Sequence, residues 1–269
     1  MWVAMVAPRI LSTVGCNGLV SRVAVSRYRG ATARHVACLS SLSDPSEVLS
    51  PTKISLDESL GVLESTLTFI RLGLPGRKLD ELHTDPRATV QEKWEGMMQI
   101  RVQTELHVIA AFGYEANQMG MLAYRQTMAQ LLEATIPTGR EAIQALDKQI
   151  WAEIIHRTFA ITAESMELQK ARQVTLTVTS ALQQESFLSQ LDESMKELGG
   201  EASDSDKNKA LQQHLLAIWT EVLPNFGFKG DDGYVRFQAA LVEHSSDAEI
   251  ATMIQSALVV VTRRIGLNK

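Results

Sequence analysis

The sequence predicts an all-α protein made of two tandem four-helix units related by duplication, with no sheet. Apolar residues recur at helical spacing through most of the chain after residue 53. An aromatic-glycine-aromatic motif occurs twice, as FGY at residues 112–114 and as FGF at residues 226–228. Similar helix starts follow both motifs, and together these observations predict an internal repeat near residues 53–158 and 175–265.

The amino-terminal segment differs in composition from the rest of the chain. Its first 43 residues contain five arginines and no Asp or Glu, and they are rich in Ser, Ala and Val. This composition is typical of a mitochondrial transit peptide. We therefore expect residues 1–45 to be a disordered transit peptide, cleaved between Arg34 and Ser46, and the mature protein to lie in the matrix or on the matrix face of the inner membrane. A plastid address and a basic tail are the alternatives.

Charge and cysteine content narrow the class of protein. The chain has 26 Lys and Arg against 31 Asp and Glu; without those five arginines the balance is 21 against 31, a net charge of about −10. We therefore expect no nucleic-acid binding, because phosphates attract basic surfaces, and we expect a protein partner. No apolar run is long enough to predict a membrane span. Cys16 and Cys38 both lie in the segment, which leaves the remainder without a thiol.

The first predicted helix begins at Ser55, where Ser-Leu-Asp-Glu58 matches a capping box. Gly73 and Pro75 are expected to end it. A second helix is predicted to start at Asp85-Pro86 and to end at the first glycine motif. Each helix carries one apolar stripe: Leu56, Leu60, Leu63, Leu67 and Ile70 in the first, and Trp94, Met98, Val102, Leu106 and Ile109 in the second.

The two glycine motifs are predicted to be helix ends, which we call the glycine corners. A helix often ends at a Gly with positive φ, and the next residue packs back on the last turn. This places Tyr114 over Ile109 and Phe228 over Leu223. After each corner a polar turn leads to a helix that restarts near Gly120 or Gly233, with Asn117 and Asp231 as caps. The predicted structural site comprises Phe112, Gly113, Tyr114, Tyr124, Phe226, Gly227, Phe228 and Phe237.

The rest of the second unit follows from the same comparison. Helix starts at Thr138 and Ser246 are expected to correspond. The intervals between the apolar residues before Gly199 are expected to match those before Gly73. Between the units, VTLTVT (residues 174–179) is predicted to break the helix because its residues are β-branched, although the buried face of a longer helix would also fit. Residues 201–209 are predicted to form an exposed loop.

The corner and the following helix start resemble the protein C-ten family of small helical eukaryotic proteins. The resemblance rests on FGFKGDDGYVRF followed by SSDAEIATMIQSAL, and on FGYEANQMGMLAY followed by TGREAIQAL. It covers most of each unit and implies a helical fold. The family's members are single units without an obvious transit peptide, and it has no known catalytic residues, so none is assigned to this chain.

No catalytic, cofactor-binding or metal-binding residues are predicted. Glu153 and His156 have the Glu-x-x-His spacing of a di-iron bundle, but such a site needs the pair twice with two further glutamates. We therefore expect a solvated helix face there. Gly-Asp-Asp-Gly at residues 230–233 lacks the ligand pattern of a calcium loop and predicts a capped turn.

These features predict a non-catalytic structural or accessory protein, a subunit of a mitochondrial protein assembly that acts through protein–protein interaction. The alternative is a helical binding module that carries a lipid or another small apolar ligand, which the ten methionines and the Leu-rich stripes permit. An enzyme is not expected.

Overall fold

The computed structural model describes residues 53–162, 165–199 and 202–266. Within these ranges the chain forms ten α-helices and one short 3₁₀ helix, and no strand, so the all-α prediction is confirmed. The predicted transit peptide lies outside the described residues. The first half contains α1 (Leu56–Leu72), α2 (Leu74–Thr84), α3 (Val90–Ala110), α4 (Gln118–Ala134) and α5 (Pro137–Phe159).

The second half also contains five α-helices. They are α6 (Leu168–Leu182), α7 (Glu185–Leu198), α8 (Asp204–Val222), α9 (Gly233–Val242) and α10 (Ala248–Arg264), with the 3₁₀ helix Leu223–Phe226 between α8 and α9. The prediction of four helices per unit was therefore wrong, because each half has five. Gly73 ends α1 as predicted, but Pro75 lies in the first turn of a further helix, α2, where its missing N–H costs nothing.

Helix packing follows the same order in both halves. The fifth helix packs against the first, as α5 on α1 and α10 on α6, and the third packs against the second, as α3 on α2 and α8 on α7. The halves join where α9 packs against α5. One apolar core runs through both halves, and a smaller cluster surrounds Tyr114 and Tyr124. A common origin of the two halves by duplication stays a prediction.

Some of the helix starts predicted from capping residues agree with the structure, and others do not. The Ser55–Glu58 capping box is present, and Asn117 caps α4 by accepting from the N–H of Gly120. The start at Asp85 was wrong, because α3 begins at Val90 behind a second capping box between Thr89 and Glu92. Those four residues, Thr-Val-Gln-Glu, carry the sequence signal for this box.

The predicted break at residues 174–179 was also wrong. These residues lie inside α6, which packs against α8 and α10. Val174, Thr175 and Val178 are fully buried there, so burial outweighs the modest helix penalty of β-branched residues.

Two further predictions for the second half need correction. The predicted loop at residues 201–209 is helical from Asp204, with Ser203 as the cap. The helix that ends at Gly199 is α7, which is the second of its half, whereas the helix that ends at Gly73 is the first. These two helices therefore do not correspond in order.

Candidate functional site

The first glycine corner ends α3. Gly113 has a φ of 87°, in the left-handed region where a Cβ is strained. Its N–H donates to the carbonyl of Ala110, and the N–H of Tyr114 donates to the carbonyl of Ile109, each at 3.2 Å. This is the Schellman pattern, which pairs the last carbonyls of a helix.

The second glycine corner repeats these contacts. Gly227 has a φ of 93°, its N–H donates to the carbonyl of Pro224, and the N–H of Phe228 donates to the carbonyl of Leu223, both at 3.2 Å. The predictions that both glycines adopt positive φ after a helix are therefore confirmed. The intervening 3₁₀ turn was not predicted, and it accommodates Pro224 near its start.

An aromatic pair closes each corner. Tyr114 and Tyr124 meet edge-to-face at 5.5 Å and 79°, and Phe228 and Phe237 meet at 5.5 Å and 71°. All four rings are buried.

The first aromatic of each corner is less buried than its neighbours. Phe112 and Phe226 are only half-buried, so we expect the truncation of either to cost less than that of a fully buried aromatic.

Close backbone approach after each corner was not predicted. A Cβ on Gly120 would lie 2.0 Å from the carbonyl oxygen of Glu115, and a Cβ on Gly233 would lie 2.5 Å from that of Phe228. The sequence signal was present, since each restarting helix has a Gly in its first turn. The prediction that Asp231 caps α9 was wrong. Asp232 directly precedes α9 and makes no side-chain cap hydrogen bond.

The corners differ in one buried polar contact. The Tyr114 hydroxyl lies 2.7 Å from Oγ1 of Thr127, which itself donates to the Tyr124 carbonyl, so the tyrosine is the donor. Burial raises the pKa of Tyr114. At the matching positions the second half has Ala240 in place of Thr127 and Phe228 in place of Tyr114, so neither hydroxyl of this contact is present there.

The chain matches no known protein family, no curated protein and no solved structure. The resemblance to the protein C-ten family therefore stays a prediction that rests on the residues of the two corners.

Glu153 lies between two arginines. Its carboxylate accepts from Arg157 at 2.9 Å and from Arg71 at 3.3 Å, and Arg157 also reaches Asp80. Burial raises the pKa of Glu153, but the two guanidinium groups outweigh burial and lower it. Glu153 thus ties α5 to α1, and describing it as part of a freely solvated face was wrong. His156 is exposed.

Two similar ion-pair clusters tie the ends of α10. Arg172 of α6 pairs with Asp247 at 2.7 Å and with Glu249 at 2.8 Å. Arg264 pairs with Asp192 of α7 at 2.6 Å and with Glu185 at 3.3 Å. Hydrogen bonds from these arginines lower the pKa of Asp247 and of Asp192.

An apolar groove of about 490 Å³ opens where α1 meets α2 above α3. Its apolar lining includes Phe69, Leu72, Leu74 and Ile100. Leu72 is 77% exposed and Leu74 is 54% exposed. Sequence reasoning missed this groove, although the Leu-Gly-Leu-Pro junction of two helices was its signal.

A second exposed surface, which we call the α4 face, follows that helix. Positions 119, 122, 126, 129 and 130 are exposed and share one side by their three- and four-residue spacing. They are occupied by Met119, Leu122, Gln126, Ala129 and Gln130, which are uncharged, and the exposed Glu133 continues this side toward the end of α4. Ile136, 69% exposed, follows the end of α4. Among the described helices, α4 makes its main contact with α3.

The described part of the chain holds neither a metal-ligand cluster nor a helix suited to a membrane interior. There, no group of three or more His, Cys, Asp and Glu side chains is placed to hold a metal ion. None of the described helices combines the length and apolar character that crossing a membrane requires.

Proposed function

We propose that this protein is a non-catalytic accessory subunit of a mitochondrial protein assembly and that the α4 face contacts a neighbouring subunit. The supporting observation is the composition of that face. From Met119 to Gln130 its exposed side chains are apolar or amide-bearing, in a chain in which 21% of residues are charged. Depletion of charge is typical of the central part of protein interfaces.

The partner's chemistry follows from the same composition. An uncharged surface that offers Met119, Leu122 and Ile136 fits an apolar, uncharged surface on another protein, since a charged partner would lose hydration without gaining a counter-charge. Methionine adapts to an irregular partner surface because its side chain is flexible. The mitochondrial location rests on the composition of residues 1–43 alone.

The proposal is tested by native electrophoresis of mitochondria that express tagged protein. Wild type is expected to co-migrate with a large complex, and Met119→Glu with Leu122→Glu is expected to run as a free chain because the new charges would be buried at the contact. Leu176→Glu is the matched control, since Leu176 is also 55% exposed but lies on α6. A wild-type chain that runs alone, or a double variant that stays in the complex, contradicts the proposal.

A second candidate function is the carriage of a small apolar ligand, and the groove between α1, α2 and α3 favours it. A volume of about 490 Å³ lies within the range of pockets that bind small molecules. Mass spectrometry of the purified native protein tests this function, which predicts a co-purifying small molecule.

A further inference from the structure

We propose that the groove binds one fatty acid of medium chain length, with its carboxylate on Arg77 and Lys78. This inference rests on the second candidate function, because it names the ligand of the same groove. Two observations support it, namely the apolar lining of the groove and the positive charge of its rim.

The turn between α1 and α2 leaves the apolar lining of the groove exposed to solvent. Gly73 has an extended backbone between α1 and α2, so the helices turn sharply there without a connecting loop. Leu72 and Leu74 flank the turn, and Phe69 lies one turn earlier with 38% of its surface exposed. Apolar surface of this kind favours an apolar occupant.

The rim carries only positive formal charge. Arg77 and Lys78 line the groove from the first turns of α2, and none of its described lining residues is an Asp or Glu. Neither cation forms an ion pair with the residues that the structure describes. In contrast, the nearby Arg71 and Arg157 are held by Glu153 and Asp80.

The cations and the apolar residues line one groove from three helices. The cations come from α2 together with Leu74 and Pro75, whereas Phe69 and Leu72 come from α1 and Ile100 and Thr104 come from α3. A ligand with one anionic end and one apolar chain matches this arrangement. In a chain with a formal net charge of −5, an unpaired cationic rim selects an anionic head group over a cationic one.

The test measures binding of sodium dodecanoate to the full chain by titration calorimetry, below the concentration at which the probe forms micelles. Saturable binding of one dodecanoate per chain is expected. Dodecanol is expected to bind more weakly and dodecyltrimethylammonium not to bind. Decanoate should bind weaker by about fourfold for each buried methylene removed.

Charge reversal tests the rim. Arg77→Glu with Lys78→Glu is expected to weaken dodecanoate binding at least about tenfold, since it removes charge-assisted hydrogen bonds. Arg87→Glu with Lys229→Glu is the matched control, because both residues are exposed and have no ion pair within the described ranges. Equal affinity of the rim variant and the control overturns the proposal.

Charge insertion tests the apolar lining. Leu72→Asp is expected to abolish binding, whereas Leu176→Asp on α6 should leave it unchanged. Both side chains are exposed, so neither change should unfold the protein, and circular dichroism checks this.

Two outcomes separate other uses of the groove. If the chain binds phosphatidylcholine vesicles with 30% phosphatidylglycerol but not dodecanoate, the groove is a membrane contact and the fatty-acid proposal is wrong. If a different small molecule co-purifies and dodecanoate does not displace it, carriage stands but the proposed ligand is wrong. Neither outcome depends on the α4 face, so failure here is distinct from failure of the accessory role.

Discussion

At the residue scale, the glycines of the corners are required for two different reasons. Gly227 is needed for its φ of 93°, and a Cβ there would meet no atom within 4 Å. Gly233 has no such φ, but a Cβ there would lie 2.5 Å from a backbone oxygen. Backbone conformation and backbone proximity therefore constrain neighbouring positions of one turn.

We predict that Gly227→Ala lowers the free energy of unfolding by about 1 kcal/mol, the cost of the left-handed region for a residue with a Cβ. Gly233→Ala should cost more, because a carbonyl must move to admit the methyl group. Urea unfolding measures both. Gly199→Ala is a control for φ alone, since Gly199 has a φ of 82° and open space around it. Equal losses at Gly227 and Gly233 would contradict the distinction.

The buried hydroxyl contact predicts a non-additive double-mutant cycle. Thr127→Ala should cost about 1–3 kcal/mol, because it leaves the buried Tyr114 hydroxyl without its acceptor. Tyr114→Phe should cost about 1 kcal/mol. The double variant, which reproduces the Phe228 and Ala240 of the second corner, should cost less than the sum of the two. Chemical denaturation measures all three, and strict additivity would show that the hydroxyls do not interact.

The aromatics of a corner should differ in their contribution to stability. Phe237 is fully buried and Phe226 is half-buried. Phe237→Ala is expected to cost about 3–5 kcal/mol, and Phe226→Ala about 1–2 kcal/mol, because less apolar area is lost. Thermal or urea unfolding ranks the two, and the opposite order would contradict the burial argument.

At the scale of the elements, ion pairs fix the last helix of each half. Arg172 holds the start of α10, Arg264 holds its end, and Arg157 holds α5 against α2. Asp247 also caps α10 by accepting from the N–H of Ile250. One carboxylate thus serves both the helix start and the contact with α6.

This double role predicts a dependence of stability on pH. The Arg172 hydrogen bond holds the pKa of Asp247 below its ordinary value, which is about 3.9. The carboxylate's contribution is therefore complete above that value and is lost as the pH falls through the lower folded-state pKa. Asp247→Asn keeps a capping side chain but removes the charge, so its stability should fall less steeply as the pH drops below about 4. Urea midpoints at several pH values measure this.

Asp231→Asn is the control for the acid series. Asp231 is an exposed turn residue that does not cap α9, so its variant should follow the wild-type pH dependence. If Asp247→Asn follows wild type just as closely, the ion pair with Arg172 does not contribute to stability.

At the scale of the whole molecule, Tyr234 joins the two halves. Its ring stacks on Trp219 of α8 at 5.4 Å and 13°, and it meets Trp94 of α3 edge-on at 5.5 Å and 67°. Its hydroxyl donates to the Val90 carbonyl at 3.4 Å. Burial raises the pKa of this tyrosine. Because the core is continuous through this contact, we expect the halves to unfold together.

We predict that Tyr234→Ala costs about 3–5 kcal/mol and separates the unfolding of the halves. Tryptophan fluorescence and circular dichroism should give one coincident transition for wild type and different midpoints for the variant. Tyr234→Phe is the matched control, because it keeps both ring contacts and loses only a long hydrogen bond. Two transitions in wild type would contradict the prediction.

The sequence by itself determined the all-α class, the two glycine corners and the caps at Ser55 and Asn117. These features depend on groups within a few residues of one another: a Gly that tolerates positive φ, or a side-chain oxygen that accepts an N–H three residues ahead. Such interactions are written in local order, so a pattern of neighbouring residues is enough to predict them.

Only the tertiary structure decided the rest. Residues 174–179 are helical because α8 and α10 bury them, and Glu153 is an inter-helix link because Arg71, 82 positions away, approaches it. The groove exists because α1 and α2 meet over α3 at Gly73. Each depends on contacts between residues distant in sequence, whose energies outweigh local propensity.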